Sequence, residues 1–196
     1  ILHTWAQLAA HISLESLVIL GDAILTAIAR KPGLANGRTA DGIYQDFVRQ
    51  VTGLPKFNAK SKCMIALAFI TPRVDSPMES KTRIATTKYG LPPAVTNYTV
   101  PGATFSNGAP ITLDLAWPEF RVAIEYDGDH HRTDKNQWRR DNDKRELLRH
   151  HHWIVIIATA TNMADEPSQA ELAYRVGRQL ALRGAVFDFT LTATPL

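Results

Sequence analysis

LDLAWPEFRVAIEYDGDHH, residues 113–131, decides how this chain is read. Thr112–Trp117 and Arg121–Tyr126 read as strands, and Pro118-Glu119-Phe120 between them is short enough for a hairpin. Side chains alternate across a strand, so Glu125 and Asp127 share one side and Tyr126 takes the other. Antiparallel pairing of the two strands would bring Asp114 beside Glu125. The apolar run Val122-Ala123-Ile124 leads directly into Glu125, Asp127, Asp129, His130 and His131. A solvated turn is the plain alternative, but a buried strand gains nothing from ending in clustered like charges. Carboxylate oxygens gathered at a strand end suit a hard cation, Mg²⁺ (or Mn²⁺), that keeps part of its water shell for a phosphate substrate.

Upstream of this centre, Ser76-Pro77-Met78-Glu79 offers a capping residue, a proline at the first helical position and an early glutamate. The helix it starts is expected to run to about Tyr89 and stop at Gly90. Val95–Val100 alternates as a strand, and turn material fills Pro101 to Pro110. Downstream, Asn136–His150 reads as a charged helix, Trp153–Ala158 as an apolar strand, and Glu166–Leu182 as a helix that Asp165 can cap. The order from residue 74 onward is therefore α-β-β-β-α-β-α. Residues 1–73 read as helical throughout: apolar residues recur at three- and four-residue spacing through Trp5–Ile12, Leu17–Ile28 and Thr39–Val51, with a last buried helix over Met64–Ile70. Two regions follow, 1–73 and 74–196.

Composition bounds the function. Of 196 residues, 45% are hydrophobic and 21% charged, which excludes a disordered or fibrous chain. No apolar run approaches the roughly 18 residues of a membrane span, so no membrane partner is expected. The single cysteine, Cys63, cannot close an intramolecular disulfide and reads as a core residue, which makes a cytoplasmic location the default. With 22 Lys+Arg against 19 Asp+Glu, the net charge of +3 is too small to demonstrate a nucleic-acid partner by itself. No glycine-rich phosphate loop, Ser-His-Asp set or paired-cysteine site is present.

The order and spacing of four blocks carry a family resemblance: Ser76-Pro77-Met78-Glu79-Ser80, Leu113–Pro118, Glu125-Tyr126-Asp127-Gly128 with His130-His131, and the arginine-rich helix ahead of Trp153. Together, over roughly Asp75 to Met163, they resemble the small nuclease-like domains related to very-short-patch repair endonucleases, within the PD-(D/E)XK superfamily. The resemblance implies a restriction-endonuclease-like α/β fold, a mixed sheet flanked by helices and preceded by an α-helical N-terminal region. It also implies a metal-dependent DNA endonuclease. By position, Glu79 matches the superfamily's first-helix glutamate, Asp114 its metal-binding aspartate and Glu125 the acid of its third motif. Asp127 stands where that motif carries a lysine. In the repair-type branch a histidine works near that place, a role that falls to His130 or His131. Residues 1–70 resemble, more loosely, the helical segment that in actinobacterial proteins follows a winged-helix antitoxin-like module. The opening Ile1-Leu2-His3-Thr4, without an initiator Met, leads us to expect such a module ahead of this chain.

Arg139, Arg140, Lys144 and Arg145 on the charged helix are the candidate DNA-phosphate contacts, with a solvated salt-bridged face as the alternative. His150-His151-His152 reads as the polar end of that helix, favourable near its negative pole. The rival to an endonuclease is a catalytically silent DNA-binding module of a regulator or antitoxin. A protein-interaction domain is a third reading, and a homodimer is compatible with all three.

Overall fold

Local chemistry sets the helix starts. Ser13 precedes α2 (Leu14–Arg30) and its Oγ accepts from Ser16 N at 3.0 Å. Thr39 does the same for α4 (Ala40–Gly53) through Gly42 N at 3.1 Å, and Asp165 for α8 (Glu166–Leu182) through Ser168 N at 2.9 Å. Each satisfies an N–H that the first turn of a helix leaves without an intrahelical partner. The computed structural model describes residues 2–128 and 135–196. It divides into two compact units, one of residues up to Ile84 together with Leu196 and one of Ala85–Pro195. The division falls inside α6 (Pro77–Lys88).

The first unit is helical, with α1 (Leu2–Leu8), α2, a single turn α3 (Pro32–Ala35), α4, α5 (Lys60–Leu67) and the start of α6. Its core joins Trp5, Leu17, Leu25, Phe47, Val51 and Cys63, all buried. Trp5 meets Phe47 edge-on at 5.0 Å between ring centroids and donates its indole N–H to Leu17 O at 3.0 Å. Gly21, which interrupts the apolar pattern of α2, lets Ile70 approach: a Cβ there would lie 2.4 Å from Ile70 Cδ1. Beside it, Asp22 is 1% exposed and accepts from Thr71 N, Ser80 Oγ and Arg83, each at 2.7 Å.

Helix α5 differs from expectation. It begins at Lys60 and ends at Leu67, and Met64 and Ile65 are exposed while Cys63, Ala66 and Leu67 are buried. The lysines are compatible with a docked helix because their ammonium groups reach backbone carbonyls, Lys60 at Thr52 O (3.0 Å) and Leu54 O, Lys62 at Ile12 O.

The second unit is mixed α/β: a four-stranded sheet in the order β1 (Val95–Thr104), β2 (Pro110–Trp117), β3 (Val122–Asp127), β4 (Ile154–Thr159), flanked by helices. β1/β2 and β2/β3 are antiparallel hairpin pairs, and β3/β4 are parallel, connected through α7 (Lys135–His150) as a parallel pair requires. β1 runs past the expected end at Val100 to Thr104, through a register shift between Thr99 and Thr104 that accommodates Pro101 and the left-handed Gly102. Ala116 and Ala123 pack with Leu148 of α7 and with Trp153, while α8 packs on β3 and β4 and buries Leu172, Val176 and Leu180. The chain after α8 folds back without regular structure, with Thr190 N donating to Tyr89 O at 3.1 Å and Thr194 N to Lys88 O at 2.8 Å. Among the described residues no helix is long and apolar enough to cross a membrane.

Candidate functional site

Register places the carboxylates. Ala116 pairs with Ala123 and Leu115 with Ile124. Carried one residue further, the ladder sets Asp114 opposite Glu125, on the face that carries Ala116 and Ala123. Asp114 Oδ2 accepts from Tyr126 N at 2.8 Å, which ties the carboxylate across the two strands at the point where regular pairing ends. Asp127 closes β3 opposite Thr159 of β4, and strand alternation keeps it on the side of Glu125.

A third element enters from α7. Lys144 donates its ammonium to Glu125 Oε1, with the two side chains 20% and 19% exposed. Burial pushes the Glu125 carboxyl above its ordinary range. The ammonium of Lys144 draws it back, and the carboxylates of Asp114 and Asp141 push it up again. Glu125 thus meets the ammonium of Lys144 while the carboxylates of Asp114, from the sheet, and Asp141, from the helix, act on it as like charges.

The other expected site residues are distributed as follows. Glu79 lies in the first unit, where it is buried and its Oε2 accepts from Asp75 N at 2.9 Å while Ser76 Oγ accepts from Glu79 N at 3.2 Å, a reciprocal cap on the start of α6. Arg140 is exposed with its guanidinium 5.8 Å from the centroid of the Phe105 ring, and Arg145 is exposed. His130 and His131, and the side chain of Arg139, lie outside the described residues. Sequence reasoning placed Lys144 with the phosphate contacts and missed it as the partner of Glu125. The available signal was its position one turn after Arg140 in a helix that must cross from β3 to β4.

Among the described residues no three His, Cys, Asp or Glu side chains converge as a metal cage. Mg²⁺ does not demand one, because it usually takes one or two carboxylates and completes its shell with water and phosphate oxygens. Asp114 and Glu125 fit that mode: hard oxygen donors on one face, in surroundings where burial and then like charges already raise the Glu125 carboxyl.

No protein-family model matches the chain. It is 29% identical over 114 residues to an uncharacterised protein of Mycobacterium tuberculosis strain CDC 1551 / Oshkosh, and equally to one of strain H37Rv. Each alignment covers 58% of this chain and 40% of the relative, so the chain spans well under half the length of the curated relatives it matches. No solved structure matches.

Proposed function

We propose that this protein is a metal-dependent DNA endonuclease, with Asp114 and Glu125 at its centre and Lys144 as the cation of the site. The observation that carries the reading is the convergence of Asp114 from β2, Glu125 from β3 and Lys144 from α7 on one face of the sheet. The chain order α6-β1-β2-β3-α7-β4 supports the reading, being the order in which the sequence blocks of the resemblance fall. Asp114 and Glu125 are the residues that would hold Mg²⁺ or Mn²⁺, whose chemistry when bound is to polarise a phosphate oxygen and acidify water. Lys144 delivers from the neighbouring helix the positive charge that the resembling motif carries two residues after the acid, where this chain has Asp127. An ammonium in this position offsets charge that builds on a phosphate oxygen during hydrolysis. His130 or His131, by the same resemblance, is the group to take a proton from water. Arg140 and Arg145, exposed on α7, are placed to meet flanking phosphates.

The test is cleavage of supercoiled and mismatch-containing DNA with Mg²⁺ or Mn²⁺ by the parent, Asp114→Asn, Glu125→Gln and Lys144→Met. The amide introduced by Asp114→Asn keeps an acceptor for Tyr126 N–H, so loss of cutting in that variant reports chemistry and not folding. Cutting by the parent that disappears in both carboxylate variants is the expected result. A parent that cuts neither DNA overturns the reading. One observation favours a second reading, a catalytically silent DNA-binding module: Lys144 already neutralises Glu125 as a structural ion pair would. DNA binding unchanged by chelator, with no cutting, would establish it.

A further inference from the structure

Three separated segments line a cavity of about 450 Å³: Tyr98, Val100 and Pro101 of β1, Pro118 and Arg121 of the β2–β3 hairpin, and His150 to Trp153 at the end of α7 and just after it. It shares no lining residue with the carboxylate site. Arg121 precedes β3, and at about 3.3 Å per strand residue it lies roughly 13 Å along the strand from Glu125. The volume is in the range of small-ligand pockets. Among the described residues no acidic side chain lines it, and Arg121 supplies a permanent positive charge. A second guanidinium, that of Arg183, reaches the same hairpin and donates to Phe120 O at 3.2 Å. One wall is aromatic: the Tyr98 and Trp153 rings sit 5.7 Å apart, tilted by 43°.

Two residues of this lining depart from ordinary backbone geometry. Arg121 and His152 both hold left-handed backbone, φ 50° and 62°. His152 occupies the position after a helix end where glycine is the usual residue: His152 N donates to Arg149 O at 2.9 Å and Trp153 N to Leu148 O at 2.9 Å, the paired bonds of a Schellman cap. Ile154 N donates to Arg121 O at 2.9 Å, so the two strained residues are clamped to one another's segments. Both side chains are exposed, so burial does not repay the strain. Glycine would hold either turn without steric strain, and side chains kept at such positions in a cavity point to a ligand.

We propose that this cavity is a binding site for a nucleotide unit, its phosphate held by Arg121 with the imidazoles of His151 and His152, and its base set against the Tyr98–Trp153 pair. A planar base suits an aromatic wall whatever its identity, and a phosphate suits a guanidinium beside imidazole N–H donors. The unit is supplied either by a free nucleotide or by one residue of a DNA strand. Neither source requires the carboxylates at the far end of β3.

The test is calorimetric titration of the full chain in EDTA with three probes: deoxyadenosine monophosphate, a 5′-phosphorylated single-stranded hexadeoxynucleotide and inorganic phosphate. Arg121→Gly and His152→Gly, which relieve strain and so preserve or raise Tm, are expected to weaken nucleotide binding at least tenfold in combination. Asp114→Asn with Glu125→Gln should titrate like the parent, which separates this site from the proposed nuclease centre. Binding of the monophosphate identifies a free-nucleotide site, and binding of the hexamer alone identifies a strand site; either supports the proposal. Absence of saturable binding to both, equal binding by the glycine variants, or inorganic phosphate bound as tightly as the nucleotide would overturn it.

Discussion

Replacing Lys144 with Met tests the electrostatic core of the candidate site in a way that does not depend on catalysis. The side chains of Lys144 and Glu125 are about four-fifths buried, and the ammonium is hydrogen-bonded to the carboxylate. Two unit charges at a charge-assisted hydrogen-bond length of about 2.8 Å attract by 332/(20 × 2.8), about 6 kcal/mol at an effective dielectric of about 20. Removing one partner of a buried pair typically costs about 3–5 kcal/mol, because the other charge is left without compensation. Glu125 can escape that cost only by binding a proton. Its carboxyl already sits above the ordinary range in the parent, owing to burial first and to Asp114 and Asp141 after it. A raised carboxyl favours the folded state at acid pH and loses that contribution as pH rises through its folded value. Without Lys144 the carboxyl moves higher still. The destabilisation of Lys144→Met relative to the parent should therefore be small near pH 4 and grow by about 1.4 kcal/mol per pH unit between the two folded pKa values, reaching about 3–5 kcal/mol by pH 8. The assay is urea unfolding in chelator at a series of pH values, with Lys144→Met/Glu125→Gln expected to recover most of the loss at pH 8. A difference that does not change with pH, or that shrinks as pH rises, refutes the pairing argument.

Other consequences are open to direct measurement. Asp22→Ala removes the acceptor for Thr71 N, Ser80 Oγ and Arg83, and should lower the stability of the helical unit by about 3–5 kcal/mol in urea unfolding. Gly90→Ala combines φ 81° with a Cβ only 2.0 Å from Asp188 O. It should release the chain after α8, seen as faster hydrogen exchange at Thr190 and Thr194, the amides that bond Tyr89 O and Lys88 O. Leu113→Ala empties a fully buried position in β2 and should cost about 2–5 kcal/mol, read as a lower urea midpoint at an unchanged slope.

Whatever rests on local periodicity and capping was legible in the chain alone. Asp165 announces the start of α8 because its side chain serves an N–H three residues on. The two-residue period of a strand settles that Glu125 and Asp127 share a side, and a short hairpin leaves little choice but to bring Asp114 toward Glu125. The helical N-terminal region was legible for the same reason, whereas the mixed sheet was expected from the family resemblance. How one element lies across another was not. Lys144 meets Glu125 because α7 crosses back over β3 on its way to β4, a geometry that no spacing within α7 encodes. Met64 and Ile65 face outward because Cys63, Ala66 and Leu67 hold the docked side of α5, and an apolar run does not say which side docks. Asp22 is buried although it interrupts an apolar helix, because Thr71, Ser80 and Arg83 arrive from distant sequence to satisfy it. The cavity at Arg121 and His150–His152 needs three segments together, and the histidines alone read only as the polar end of a helix.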